Sequence, residues 1–192
     1  MSDVKNILLV GVGGQGTILA SKILSEVLLD AGYDVKMSEV HGMAQRGGSV
    51  STQIRYGSKV YGPIIGKGEA DIIVSFEKME AIRWVDHLRK GGKIVINDYE
   101  IPSAPILSGI AKYPKNVIEA LKEKADTIAF NGTARAKELG NFRTMNIILL
   151  GALVKAMGIE NLGWENRIIK NVKEGLEKIN IEAFNQGMKQ VV

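Results

Sequence analysis

Short apolar runs bounded by glycine alternate along this chain with stretches in which apolar residues recur every three or four positions, as expected of an α/β protein. Residues 6–10 (NILLV) form a continuous apolar run, the pattern of a buried parallel strand. Between residues 17 and 29 the apolar positions Ile18, Leu19, Ile23, Leu24, Val27 and Leu28 make a helical stripe that Gly32 ends, and residues 34–40 read as a second strand. Strand, glycine-rich turn, helix and strand predict one βαβ unit with a right-handed crossover. Residues 49–56 are β-branched and alternating. Gly57-Ser58 then reads as a hairpin turn from which Lys59-Val60-Tyr61 returns antiparallel, so the expected sheet is mixed but mostly parallel.

Further strands are expected at residues 70–76, 93–97 and 126–130, with a helix over 77–88 closed by Gly91-Gly92. Pro102 and Pro105 mark an irregular crossing. Pro114 fits the first turn of a helix that continues through 117–125, and a short helix follows at 133–139. Residues 144–157 are apolar almost all round, the mark of a helix buried on most sides. Residues 166–179 are amphipathic, and Asn180 can cap a last helix running to Met188. With no repeat or linker in view, the expectation is a single three-layer α/β/α Rossmann-like domain over residues 1–192 with a helical C-terminal third.

Composition narrows the class. The 192 residues suit one well-buried domain, and 45% hydrophobic with 24% charged residues is ordinary for a soluble protein. No apolar stretch approaches the roughly 20 residues of a membrane span, and the start leads directly into a strand, so a cytoplasmic protein without a signal peptide is expected. The net charge of +4 comes from scattered Lys and Arg, without the aromatic-interleaved basic stripe that single-stranded nucleic acid needs. The chain has no cysteine, which excludes disulfides, cysteine-held zinc and a cysteine-held iron–sulfur cluster on it.

Two segments carry candidate chemistry. Gly11, Gly13, Gly14, Gln15 and Gly16 form a G-x-G-x-x-G turn between strand and helix, where glycine lets the backbone approach a ligand and the helix start offers free N–H groups to an anion. The same glycines could serve tight packing alone. Glu39, late in the second strand, stands where a dinucleotide-binding protein places its ribose ligand. About one βαβ unit later come His41, Gln45, Arg46, Gly47, Gly48 and Ser49, a compact set of donors on an adaptable backbone. There the Arg46 guanidinium could fork onto a phosphate or carboxylate, or order the loop as an ion pair. His41 could act as a base or make a structural hydrogen bond, and His87 reads as a surface residue near a helix end. Glu77, Lys78 and Glu80 at a helix start could contact a ligand, though a solvated first turn accounts for Glu77 and Glu80 without function. The two histidines lack metal-site spacing, and neither a Walker-type loop nor a G-x-S-x-G elbow occurs.

Taken together, Gly11 to Gly16, His41 to Val50, and the later stretch Leu139-Gly140-Asn141-Phe142-Arg143-Thr144-Met145-Asn146 resemble the gamma-type domain of 2-oxoacid:ferredoxin oxidoreductases over almost the whole chain. Within that family the beta subunit of the indolepyruvate enzyme is most similar, with pyruvate, 2-oxoglutarate and branched-chain gamma subunits close. The resemblance implies a subunit of a complex that oxidatively decarboxylates a 2-oxo acid with coenzyme A, giving acyl-CoA, carbon dioxide and reduced ferredoxin. It implies that thiamine diphosphate, magnesium and the 4Fe-4S clusters belong to a large partner subunit. The absence of cysteine and of a Gly-Asp-Gly sequence here agrees. The glycine turn, the His41–Ser49 segment and Asn146 are the positions expected to border the coenzyme A region, with ferredoxin as the acceptor of the complex. An independent NAD(P)-binding oxidoreductase and a purely structural subunit stay open as alternatives.

Overall fold

The structure, a computed structural model, describes residues 4–41 and 47–191, with His41 described for its backbone alone. Among these residues the strands are β1 (Lys5–Val12), β2 (Asp34–His41), β3 (Ser49–Gly57), β4 (Ala70–Ser75), β5 (Leu88–Asn97) and β6 (Asp126–Phe130). They form one sheet in the order β2-β3-β1-β4-β5-β6. β1, β4, β5 and β6 are parallel neighbours in turn, whereas β3 is antiparallel to both β1 and β2. The helices are α1 (Thr17–Asp30), α2 (Lys78–Trp84), α3 (Ala104–Leu107), α4 (Val117–Lys122), α5 (Gly132–Glu138), α6 (Met145–Met157), α7 (Trp164–Asn171) and α8 (Glu177–Met188).

The place of β3 corrects two expectations. The strands of the predicted βαβ unit run in the same direction but are not neighbours, because β3 lies between them. Lys59-Val60-Tyr61 forms no strand: β3 is paired on both edges, so nothing remains for a returning strand, and the Val60 amide donates instead to Asp34 Oδ2 at 2.9 Å. The expected helix over 77–88 is shorter. α2 gives way to a 3-10 turn at Val85–His87, and β5 takes in Gly91 and Gly92 through a bulge against β4. The amphipathic stretch 166–179 breaks into α7 and α8, with Gly175 at φ +83° between them. Asn180 therefore caps nothing; inside α8 its Nδ2 donates to the Leu176 carbonyl at 2.8 Å. Pro114 precedes α4, and it is Pro105 that occupies a first helical turn, in α3.

Alternation along the strands builds the core. Ile7 and Leu9 of β1, with Ile54, Ile72, Val74 and Val95, face α1, α6, α7 and α8. Leu8 and Val10 point the other way with Ile73, onto Ile65 and Ala70. Beside them Ile94 and Ile96 meet Ala81 of α2 and Val117 and Leu121 of α4. Removing each Leu or Ile side chain from water contributes about 1.5–3 kcal/mol. α6 is buried from Met145 through Val154, as its all-round apolarity predicts.

α6 and α8 touch backbone to backbone. A Cβ on Gly151 would stand 2.0 Å from the Phe184 carbonyl oxygen, and one on Gly187 would stand 1.8 Å from that of Ile148. Alanine at Gly187 gains roughly 1 kcal/mol in helix propensity. The clash is with backbone, which cannot step aside as a flexible side chain can, so the two helices must separate. Gly187→Ala is expected to lower stability by about 2–3 kcal/mol net, in the range of overpacked cores, and urea denaturation of the chain measures it.

Candidate functional site

β1 leads leftward in the sheet through α1, and β4 leads rightward, so the gap beyond their carboxyl ends is a topological switch point. The glycine turn lies there. It is joined to the second predicted segment by two backbone bonds: the Gly13 amide donates to the Gly48 carbonyl at 2.8 Å and the Gly47 amide to the Gly13 carbonyl at 3.2 Å. Ser49, next along, donates its hydroxyl to Glu80. The structure thus brings Gly13, Gly47, Gly48 and Ser49 together. Gln45, Arg46 and the His41 side chain lie outside the described residues.

Gln15 fastens the turn. Its Oε1 accepts from the Val12 amide and its Nε2 donates to the Phe76 carbonyl, both at 2.8 Å. Asn146 does the same from α6: Nδ2 donates to the Gly16 carbonyl at 3.1 Å, while Oδ1 accepts from the Ile147 amide at 2.9 Å. Gly16 has φ +82°, and a Cβ there would lie 2.6 Å from Asn146 Nδ2, so both conformation and space require glycine. Among the described residues no side chain caps α1, which leaves the amides of its first turn to solvent or a ligand.

Behind the turn lies a set of polar groups that the sequence reading misplaced or passed over. Asn97, fully buried, donates to the Phe76 carbonyl at 3.0 Å and to Thr133 Oγ1 at 3.1 Å, and accepts from the Gly132 amide at 2.9 Å. Glu77 and Glu80 are not a solvated turn, being 0% and 3% exposed. Glu77 caps α2 by accepting from the Glu80 amide at 3.0 Å, and also accepts from the Ile101 amide at 3.1 Å and the Tyr113 hydroxyl. Glu80 accepts from Ser49 and from Arg83 Nε at 3.2 Å. Burial, reinforced by the Glu77 carboxylate, pushes the Tyr113 phenol well above its ordinary range. Burial pulls the neighbouring Lys78 ammonium down, but the carboxylates of Glu100 and Asp98, at 2.7 and 3.1 Å, more than offset this and raise it. At the opposite end of the sheet, just before β5, His87 is half-buried rather than superficial. Its ring lies 4.8 Å from that of Trp84, and its buried Nδ1 has no hydrogen-bond partner among the described residues. For Asn97 and Glu77 the one sequence signal was position: Asn97 ends β5, and Glu77 follows β4.

Cavities flank the turn. On one side a groove of about 580 Å³ runs between Gly14, Gln15 and Gly16, the loop residues Tyr99 and Ile101, Thr133 at the start of α5, and Phe142, Arg143 and Asn146. The Arg143 guanidinium lies 5.9 Å from the Phe142 ring, whose side chain is largely exposed. On the other side a smaller cavity of about 240 Å³ is lined by Gly13, Ile18, Glu39 and Thr52. Glu39 Oε1 accepts from Ser21 there at 3.4 Å. Because β3 separates β1 from β2, Glu39 is two strand spacings from the turn's own strand, unlike the ribose-binding acid of a dinucleotide fold. Among the described residues no group of three or more His, Asp or Glu side chains could hold a metal ion, and no helix is long and apolar enough to cross a membrane. Amide donors, one guanidinium and apolar walls suit an elongated ligand with an anionic end.

Residues 6–190 match the pyruvate ferredoxin/flavodoxin oxidoreductase family. The chain belongs to that family. It is 39% identical to the indolepyruvate oxidoreductase subunit IorB of Pyrococcus horikoshii, over 96% of this chain and 94% of that one. The fold is that of the keto/oxoacid ferredoxin oxidoreductase gamma subunit from Geobacter sulfurreducens, with TM-score 0.72, 22% identity and 97% of each chain covered. It also superposes, at TM-score 0.77 and 20% identity, on the 2-oxoglutarate:ferredoxin oxidoreductase of Magnetococcus marinus, solved with 2-oxoglutarate, coenzyme A and succinyl-CoA bound. That superposition covers 99% of this chain and 31% of the other.

In this family member the amide of Gln15 is a fastening of the turn, so its loss registers in the isolated chain. Gln15→Met keeps the length and removes both bonds, leaving the part-buried Val12 amide unpartnered. The expected cost is about 1–3 kcal/mol, read from urea denaturation, whereas an unchanged midpoint would assign Gln15 no part in holding the turn.

Proposed function

We propose that this chain, as one gamma-type domain over residues 1–192, is the small subunit of a cytoplasmic indolepyruvate-type 2-oxoacid:ferredoxin oxidoreductase. The observation that carries the reading is 39% identity, over nearly the full length of both chains, with a subunit of that name. The complex converts a 2-oxo acid, coenzyme A and oxidised ferredoxin to acyl-CoA, carbon dioxide and reduced ferredoxin. The residues here do not fit the family's cofactors: there is no cysteine for a 4Fe-4S cluster and no Gly-Asp-Gly for thiamine diphosphate with magnesium. These belong to a large partner subunit, where thiamine diphosphate supplies the electron sink for decarboxylation.

The contribution of this chain is to complete the coenzyme A region. Supporting this, the uncapped start of α1 and the turn at Gly14 and Gly16 offer amides to a phosphate, and Tyr99, Ile101 and Phe142 offer apolar walls to a thioester arm. Gln15 and Asn146 hold that turn in place. Arg46, in the same sequence segment as Gly47 and Gly48, supplies a two-donor fork for a phosphate or carboxylate.

The test is reconstitution with the cognate large subunit. The isolated chain is expected to be colourless and inactive, and ferredoxin reduction should require both chains with a 2-oxo acid and coenzyme A. Arg46→Lys keeps the charge and loses the fork, so the apparent affinity for coenzyme A should fall by about 1.5–3 kcal/mol, the worth of a charged hydrogen bond, with thermal stability little changed. A large subunit fully active without this chain would falsify the subunit reading. Unchanged coenzyme A kinetics in Arg46→Lys would remove the fork alone.

A further inference from the structure

Between β5 and α4 the chain leaves the body of the protein at Ile101 and returns at Tyr113, and both ends of this excursion are held by one buried carboxylate, through the Ile101 amide and the Tyr113 hydroxyl on Glu77 Oε1. Within it the backbone is bonded to itself. The Ile106 and Leu107 amides donate to the Ser103 carbonyl at 2.9 Å, and those of Ile110 and Ala111 donate to Pro105 at 2.9 and 3.0 Å. Pro102 and Pro105 further restrict it. It is a compact loop with its ends clipped together, of the kind that often carries function. Its crest is nevertheless apolar and outward: Leu107 is 75% and Ile110 85% exposed.

We propose that this loop is a preformed knob by which the chain docks into its large partner subunit. The inference rests on the subunit reading above and adds which surface makes the contact. Three observations select that occupant. Tyr99 and Ile101, at the foot of the knob, line the ligand groove, so the body that completes the groove from this side meets the crest first. From Ile101 to Lys115 the sequence has lysines at 112 and 115 and no Asp or Glu, which fits an apolar pocket with an acidic rim. Order before binding reduces the entropy lost on docking, so two apolar side chains on a rigid loop can act as anchors. Glu77 is thereby a positioning residue for the contact, since it fixes both feet of the knob.

The experiment uses the full chain and the cognate large subunit. Leu107→Asp with Ile110→Asp changes exposed side chains, so the chain should melt as the wild type does while binding the large subunit at least about tenfold more weakly by titration calorimetry. Leu107→Met with Ile110→Met should restore binding. A photocrosslinker at position 110 should capture the large subunit. Wild-type binding that the Asp pair leaves unchanged, or crosslinking that misses the large subunit, overturns the knob and leaves the subunit reading standing. No wild-type complex at all overturns both. Self-association of the isolated chain that the Asp pair abolishes, with heteromeric binding intact, assigns the crest to a second copy and overturns the proposal.

Discussion

Beyond the ends of β1 and β4 two loops must lie side by side with no strand pairing to hold them, and the backbone carbonyl of Phe76 meets this need. It accepts the side-chain amides of Gln15 and Asn97 from opposite sides, so the turn after β1, the end of β4 and the end of β5 share one acceptor. Asn97 carries the connection on to the start of α5, and Asn146 ties the turn to α6. The turn and the start of α5 are thus hung from the amides of Gln15, Asn97 and Asn146, while Ile101 on the facing wall is held by Glu77. A side-chain amide suits this work because it donates and accepts at once while adding no charge to a place where charge is costly.

Charge is nonetheless buried one step away. Glu77 and Glu80 are neighbours on one helical turn, and desolvating a carboxylate costs several kcal/mol unless donors replace the water. Glu77 finds them in two amides and a phenol, and Glu80 in the Ser49 hydroxyl and the Arg83 guanidinium. The donors come from segments otherwise unrelated in sequence. One carboxylate therefore sets the feet of the loop after β5, and the other sets the segment that returns into β3.

The strands were legible because short, largely buried apolar runs such as those within residues 6–10 and 70–75 leave little alternative, and α6 was legible because nearly every position in it is apolar. The neighbour of each strand was not. Adjacency depends on which edge is free once the sheet assembles, and β3 enters between β1 and β2 without any local mark. The break between α7 and α8 was missed because amphipathic spacing continued through Gly175, whose backbone conformation only the packed structure reveals. At the site, the glycines could be read from their spacing, but the buried roles of Glu77, Glu80 and Asn97 could not. A carboxylate after a strand has the same sequence appearance whether it faces water or three donors.

The seating of β3 also governs the order of assembly. β2 and β3 are successive strands and can pair early, but β1 must meet β3 across the whole of α1 and β2 before it gains that neighbour. Closing so long a stretch costs chain entropy before any contact repays it, and pairings of this kind slow folding. Within that ladder Val12 and Ser49 are the pair nearest in sequence, and beside them Gly13 bonds Gly47 and Gly48, so the two loops meet where closure is least costly. The groove is another matter: its wall at Asn146 meets Gly16 across 130 residues of chain, so it is among the last features to mature, and a half-folded protein has its glycine turn without yet having the groove.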